Sequence, residues 1–598
     1  MFRSAPISKF AHYAAARGIL LSVTTVVAAV LLVQLFRLSI LQNQKYQDRA
    51  EDNLYSERRL PSSRGNIYDR DGLAIATNQK TWSILYNPYR VKDAEVAEVL
   101  ARISALGSPL ETPIDTIVNT RPRWTLHRLV RQASREQVLP ILENPGAFPG
   151  ARVVEDFRRV YPLGYQMSLL VGTLGAIPKE EKEKYQRPRY VADDEVGRTG
   201  IERAFEDRLA GEPGLERTPN RPLEGESSAP EVLRAATPGA HVYLTIDADL
   251  QRRANDLLTG EKGSIVLLEC QTGNLLVLAS NPTFDPNNRR AITVNGLPPG
   301  YLSLAARGLY PPGSTFKTVG AAAALRANIP PADEITCRGK YVPEGTTRPF
   351  WCSSRGGHGQ TDLWQSLQWS CNCYYYELGA RLGADPFVRI GQEFGFAVDT
   401  GLELGTLETG QLLGKGKYGV ADVMNLSIGQ GRMLVTPLQV ARSYAGLGNG
   451  GTMPMVRLVD AIGADRVSGK LPIRPGVSMN LPSAHLKEII DGLDRVVNRQ
   501  SGTAYKAGLS KSWEVVGKTG TAENSTGGND AWFAGFFPRS APKYAFAIHI
   551  ESADGHGGEI AAPIGREMVA AILGDYKAAS TPSTAEPAPT PRESEEFP

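Results

Sequence analysis

The chain has 598 residues, too many for one hydrophobic core, so two or more domains are expected. Its 66 Lys and Arg against 63 Asp and Glu leave a net charge of +3, which excludes the basic footprint of a nucleic-acid binder. Five cysteines exclude a disulfide scaffold, yet four of them (Cys337, Cys352, Cys371, Cys373) fall close together.

Residues 1–17 hold Arg3, Lys9 and Arg17 and no acid. From Gly18 to Phe36 there is no charge, and Arg37 closes the run. That length spans a bilayer, and no small-residue cleavage site follows it. An uncleaved anchor over 18–40 is expected, with the basic N-terminus cytoplasmic and the remainder extracytoplasmic. Next, Arg64-Gly65-Asn66-Ile67-Tyr68-Asp69-Arg70-Asp71-Gly72-Leu73-Ala74 places a turn signal between two short β-like runs. Its charges suit a structural salt-bridge network, with partner binding as the alternative.

Residues 80–235 alternate strand-like pieces (Trp82–Tyr86, Ala151–Val154) with helix-like ones (Ala94–Leu106, Arg135–Leu142), and a further helical run ends at Leu209. No catalytic constellation occurs there, so 41–237 is expected to be an extended α+β pedestal. A composition shift over Pro219–Ala240 marks the boundary to a second domain, 238–577. That domain opens with a strand (His241–Ile246), a helix (Asp247–Leu258) and a hairpin of Gly263–Glu269 with Leu275–Ala279, which predicts a sheet with helical cover. After Ser314 the pattern is helical to about residue 450. Gly446-Leu447-Gly448-Asn449-Gly450-Gly451 matches Gly-x-Gly-x-x-Gly but follows a helix and precedes none, so it is not a dinucleotide fingerprint. Trp513–Val516, Ala531–Phe537 and Tyr544–Glu551 read as strands, Pro563 opens a closing helix, and 578–598 has the composition of a disordered tail.

Pro311-Pro312-Gly313 delivers Ser314 to the first turn of an Ala-rich helix, and Lys317 lies three positions on, on the same helix face. A serine hydroxyl needs a base to attack, and a desolvated amine with a lowered pKa can be that base. Alone, the pair reads as a helix cap and a solvated charge. Two further motifs follow in order: Ser370-Cys371-Asn372 in a helix-rich stretch, and Lys518-Thr519-Gly520-Thr521 among the C-terminal strands.

This ordered set resembles the penicillin-binding protein and serine β-lactamase superfamily. The anchor, the Arg64–Ala74 motif and the pedestal narrow the resemblance to class B penicillin-binding proteins. Gly357-His358-Gly359, Ser370–Tyr376 and Gly429-Gln430-Gly431 are similar to the elongation-type members. The resemblance implies an antiparallel sheet with helical cover plus a helical subdomain. It implies a D-Ala-D-Ala transpeptidase in which Ser314 is acylated and Lys317 is the base. Ser370 would relay a proton, Asn372 hold the substrate amide, and Lys518, Thr519, Gly520 and Thr521 receive the terminal carboxylate. Backbone N–H groups of Ser314 and Thr521 would form the oxyanion hole. Implied partners are peptidoglycan stem peptides, β-lactams, a RodA-type membrane glycosyltransferase and the elongation machinery, at the cell membrane. The alternatives are a septal enzyme, a β-lactamase and a non-catalytic β-lactam sensor.

Cys337, Cys352, His358 and Cys371 also offer a Cys₃His set suited to structural zinc. Cys371 is the middle residue of the second motif, so a metal there would tie Ser370 and Asn372 to the 337–358 loop. Elongation-type relatives can carry Asp at the first two of these places. A Cys337–Cys352 disulfide and free thiols stay open, and Cys373 is expected in the core.

Overall fold

A computed structural model describes residues 7–41, 55–107, 109–120, 127–185, 189–191, 194–219, 231–288, 303–405, 407, 409–414, 418–524 and 527–574. The tail expected at 578–598 and the middle of the 219–240 composition shift lie outside these residues. The chain divides into two compact units, 1–63 with 211–238, and 64–210 with 239–598.

In the first unit a helix runs Ile7–Phe36 and continues as a π turn over Arg37–Leu41. Ala16–Ile40 is long and apolar enough to cross a membrane, with mean hydropathy 2.5. Three of its hydroxyls are satisfied within the helix: Ser22 Oγ donates to Gly18 O (2.9 Å), Thr24 Oγ1 to Leu20 O (2.5 Å) and Thr25 Oγ1 to Leu21 O (2.8 Å). Such internal pairing is what a lipid-facing helix requires. The same unit holds a three-stranded antiparallel sheet, ordered Tyr55–Leu60, Gly214–Pro219, Glu231–Arg234.

In the second unit a six-stranded sheet joins segments far apart in sequence. Val459–Gly463 pairs with His241–Leu244, which runs parallel to Ile67–Tyr68; Ala74–Tyr86 follows and pairs with both His127–Ala133 and Ala151–Val160. The Arg64–Ala74 motif is the hub of this arrangement. Arg64 reaches Glu202 (2.7 Å) and Glu206 (2.8 Å), and Arg159 reaches Glu202 (2.7 Å), with both glutamates buried. Asp69 Oδ1 accepts from Asp71 N and Leu73 N, closing the predicted turn. The anticipated salt-bridge network is thus made by Arg64, with Arg70 3.7 Å from Glu269, while Asp69 serves the turn instead.

The other sheet of this unit has five antiparallel strands in the order Leu275–Asn281, Gly263–Glu269, Tyr544–Ala553, Asn529–Phe537, Val516–Glu523. Its strands are buried on both faces, so Ile265-Val266-Leu267-Leu268 reads as a continuous apolar run rather than an alternation. Helices Ala248–Leu257 and Ala561–Ile572 cover one face, and the buried helix Pro437–Gly448 covers the other. The first of the three C-terminal strands differs from its predicted place. Glu514 adopts a left-handed φ of 50° after a short turn at Lys511–Trp513, so the strand begins only at Val516 and carries the Lys518 motif within it.

Candidate active site

Ser314 sits in a 3₁₀ turn, Gly313–Phe316, that leads directly into the helix Lys317–Arg326. The sequence pattern placed both residues on one α-helix. The tighter turn serves the pairing as well, because side chains three apart eclipse in a 3₁₀ turn. The helix that follows is buried on every side from Lys317 to Leu325. Its run of alanines lets it thread the core: at Gly320 even a Cβ would meet the Tyr375 ring at 2.6 Å.

Lys317 is fully buried, and its Nζ donates to Ser370 O (2.8 Å) and Asn372 Oδ1 (2.6 Å), with Ser370 Oγ at 3.3 Å. Burial pushes this amine down to about 8, against the opposing pull of the cysteines around it, Cys352 foremost. Ser370 follows the helix Leu363–Gln368 and has φ 56°, a costly conformation for a serine. It reverses the chain so that Cys371 and Asn372 open the next helix, Asn372–Leu382.

The strand Val516–Glu523 pairs only with Asn529–Phe537 among the described residues, leaving its other edge free. It passes tightly against the turn that carries Ser314. A Cβ at Gly520 would lie 3.1 Å from Pro312 O and 3.2 Å from Thr315 Cγ2, and one at Gly313 would lie 2.9 Å from Thr521 O. The backbones of the first and third motifs therefore touch. Lys518 is buried, its Nζ donating to Thr519 O (3.0 Å), and burial together with the charge of Lys317 holds its amine well below the ordinary lysine range. Thr519 and Thr521 share the strand's opposite face. The Thr519 and Thr503 hydroxyls lie 2.6 Å apart, and Thr521 Oγ1 accepts from Gly557 N (3.3 Å).

Several supporting residues were not legible as such. Gly429 O accepts from Gly313 N (2.9 Å), Gln430 Nε2 donates to Thr521 O (3.3 Å), and Tyr444 OH donates to Thr315 O (3.0 Å). Gly429-Gln430-Gly431 stood out as a family signature without a role; Thr503 and Tyr444 carried no sequence signal.

The predicted metal set also converges. The ligand atoms of Cys337, Cys352, His358 and Cys371 all lie within 4.8 Å of one another. All five cysteines are free thiols, and Cys373 is buried beside the set. His358 Nδ1 is 3.5 Å from Cys337 Sγ and 3.6 Å from Cys352 Sγ. A tetrahedral zinc with ordinary bond lengths sets such an N–S edge at about 3.5 Å. Asn372 N donates to Cys352 Sγ (3.3 Å), and Trp369 stacks on the His358 ring at 5.7 Å. Hydrogen bonding to the Cys352 and Cys371 sulfurs pushes the imidazole up to about 10.

Family models describe two parts of the chain. A penicillin-binding protein transpeptidase domain matches residues 263–570, and a penicillin-binding protein dimerisation domain matches 59–244. Peptidoglycan D,D-transpeptidase MrdA of Haemophilus influenzae is 30% identical, covering 90% of this chain and 88% of its own. The Escherichia coli K12 protein of the same name is 28% identical over 83% of this chain and 82% of its own. Penicillin-binding protein 2 of Helicobacter pylori, solved with MreC, shares the fold with a TM-score of 0.74 at 23% identity, over 88% of this chain and all of that one (100%). Penicillin-binding protein 2 of Pseudomonas aeruginosa superposes with a TM-score of 0.66 at 25% identity, over 89% of this chain and 100% of its own. Matched by models of both its halves and by MrdA over nearly its whole length, the chain belongs to the class B penicillin-binding protein family and is most like penicillin-binding protein 2.

Proposed function

We infer that the protein is a peptidoglycan D,D-transpeptidase of cell elongation, working through an acyl-enzyme on Ser314. One observation carries the assignment of roles: the buried Lys317 amine is held between the nucleophile turn and the Ser370–Asn372 motif, while the Lys518 strand lies against that same turn.

A donor stem peptide would lie along the free edge of Val516–Glu523, adding its backbone to the sheet. Lys317, neutral near its pKa of about 8, takes the proton of Ser314 Oγ as that oxygen attacks the penultimate D-Ala carbonyl. The N–H groups of Ser314 and Thr521 receive the oxyanion, and losing one such donor costs roughly 3 kcal/mol of transition-state stabilisation. Ser370, 3.3 Å from Lys317 Nζ, passes a proton to the departing D-Ala amine, and Asn372 holds the donor amide. A substrate carboxylate at Lys518, Thr519 and Thr521 would oppose the burial that lowers the Lys518 amine and favour its charged form. No cofactor is required by these steps.

Cys337, Cys352, His358 and Cys371 would hold a structural zinc, whose contribution is to fix the loop carrying Asn372 and Ser370. Protein purified without chelator is expected to contain about one zinc per chain, and Cys352→Ser to lose it and to acylate more slowly. A Cys337–Cys352 disulfide in zinc-free protein would overturn this assignment.

The apolar helix is proposed as a single-pass anchor with a cytoplasmic N-terminus, 41–237 as the pedestal and 238–577 as the transpeptidase domain. A RodA-type glycosyltransferase and an MreC-type scaffold are proposed partners. They are supported by the Helicobacter pylori complex with MreC and by a peptidoglycan synthase complex 27% identical to this chain, with a TM-score of 0.67. Depletion in cells tests the elongation assignment: rounding supports it, and filamentation assigns the protein to septation.

A further inference from the structure

A pocket of about 550 Å³ opens beside the site, lined by Gln368, Arg495, Arg499, Gln500 and Ser501. Its lining is basic and neutral, with no carboxylate. Among the described residues neither guanidinium is ion-paired, whereas Asp491 and Asp494, on the same helix as Arg495, are engaged by Arg539. Arg495 closes the helix Ser483–Asn498 and is held over the Trp364 ring at 5.0 Å, so it is positioned without being neutralised. Two unpaired guanidiniums in one concavity favour a carboxylate, which their planar forks bind in bidentate fashion.

The pocket is wired to two of the catalytic motifs. Gln368 stands two residues before Ser370, and its Nε2 donates to Ser501 Oγ (2.6 Å). Trp369 Nε1 donates to the same oxygen (3.2 Å). Thr503 N donates to Gln368 O (3.2 Å), and the Thr503 hydroxyl lies 2.6 Å from that of Thr519. Gln368, Trp369 and Thr503 thus connect Ser501 in the pocket's lining to the Ser370 motif and to Thr519 on the Lys518 strand.

We propose that this pocket binds a carboxylate of the acceptor stem peptide, the strand whose amine resolves the acyl-enzyme. The proposal rests on the transpeptidase reading above. By microscopic reversibility the attacking amine enters where the D-Ala amine left, and the residue bearing it occupies the strand that held the D-Ala carboxylate. The remainder of the acceptor then continues past Thr519. In the step itself the acceptor nitrogen forms the new amide bond, the Ser314 Oγ–acyl bond breaks, and the proton lost by the amine returns to Ser314 Oγ through Lys317. Arg495 and Arg499 touch neither reacting atom; they fix the acceptor so that its amine, rather than water, is in place.

The test compares the full chain with the Arg495→Ala/Arg499→Ala double variant. Each is acylated first by benzylpenicillin and separately by a stem-peptide donor, then offered an acidic stem-peptide acceptor or the same peptide with its side carboxylates amidated. The variant is expected to acylate with penicillin at the wild-type rate. Its ratio of transfer to hydrolysis with the acidic acceptor falls about tenfold, the factor expected for one lost charged hydrogen bond. Wild type prefers the acidic acceptor, the variant does not discriminate, and Arg495→Lys/Arg499→Lys restores part of the preference. An unchanged ratio in the variant, or an equal fall with both acceptors, overturns the proposal. A variant that also loses penicillin acylation assigns the arginines to the donor side or to the fold and overturns it too. Failure of the wild type to acylate at all would instead refute the transpeptidase reading on which it rests.

Discussion

Lys317→Ala is expected to slow acylation by benzylpenicillin by about 10²–10⁴-fold, the usual contribution of a positioned general base. The amine is fully buried, bonded to Ser370 O and Asn372 Oδ1, and pushed down to about 8, which is where a base working near neutrality should lie. The sign of the pH dependence follows. The free amine accepts the proton, so wild-type acylation rises with pH, passes its midpoint near 8 and levels above it. Lys317→Ala should lose that rising limb. Stopped-flow acylation across pH 6–10 measures both effects. A variant that keeps the wild-type rate and profile removes Lys317 from the base role.

Glu202→Ala is expected to be the most destabilising single change outside the catalytic residues. Glu202 is 0% exposed and neutralises both Arg64 and Arg159. Its loss leaves two guanidiniums in a buried network without their shared partner, and breaking a buried pair from one side costs about 3–5 kcal/mol. Burial opposes ionisation of Glu202, but Arg159 and Arg64 overcome it and hold the carboxyl below its usual range. A carboxyl depressed in the folded state contributes stability above its unfolded pKa and loses it as pH falls through the folded value. Urea unfolding should therefore show a large drop for Glu202→Ala at pH 7 that narrows under acid conditions. A loss below about 1 kcal/mol would mean the arginines find other partners or water.

Four of the five strands of the C-terminal sheet and the three motifs were legible because each depends on local pattern, whereas His127–Ala133 and the short strands between Ile335 and Thr361, in a stretch read as helical, were not. Gly263–Glu269 appears as a strand within the limits its apolar run suggested, and Ser314 stands at the entrance to a helix. What local pattern could not carry is pairing at a distance. Nothing in Ile67–Tyr68 announces His241–Leu244 as its parallel neighbour, and nothing in Arg64 names Glu202 as its partner. The predicted strand at Trp513–Val516 misplaced its start because Glu514 enters the left-handed region, which non-glycine residues adopt uncommonly and which apolar periodicity does not reveal. The same limit hid Thr503 and the pocket of Arg495 and Arg499. These residues are ordinary in sequence and gain a role only where the fold sets them beside Thr519 and Gln368. The Cys₃His set was legible from residue types alone, its spacing resembling no finger, and the fold brings its four ligand atoms together.

The central claim, that Ser314 is the acylated nucleophile, is tested most directly by labelling wild type and Ser314→Ala with fluorescent penicillin and mapping the adduct by peptide mass. The account predicts one slowly hydrolysed penicilloyl group on the Ser314 peptide of the wild type and none on the variant. Equal labelling of the two proteins, or an adduct on another residue, would contradict it.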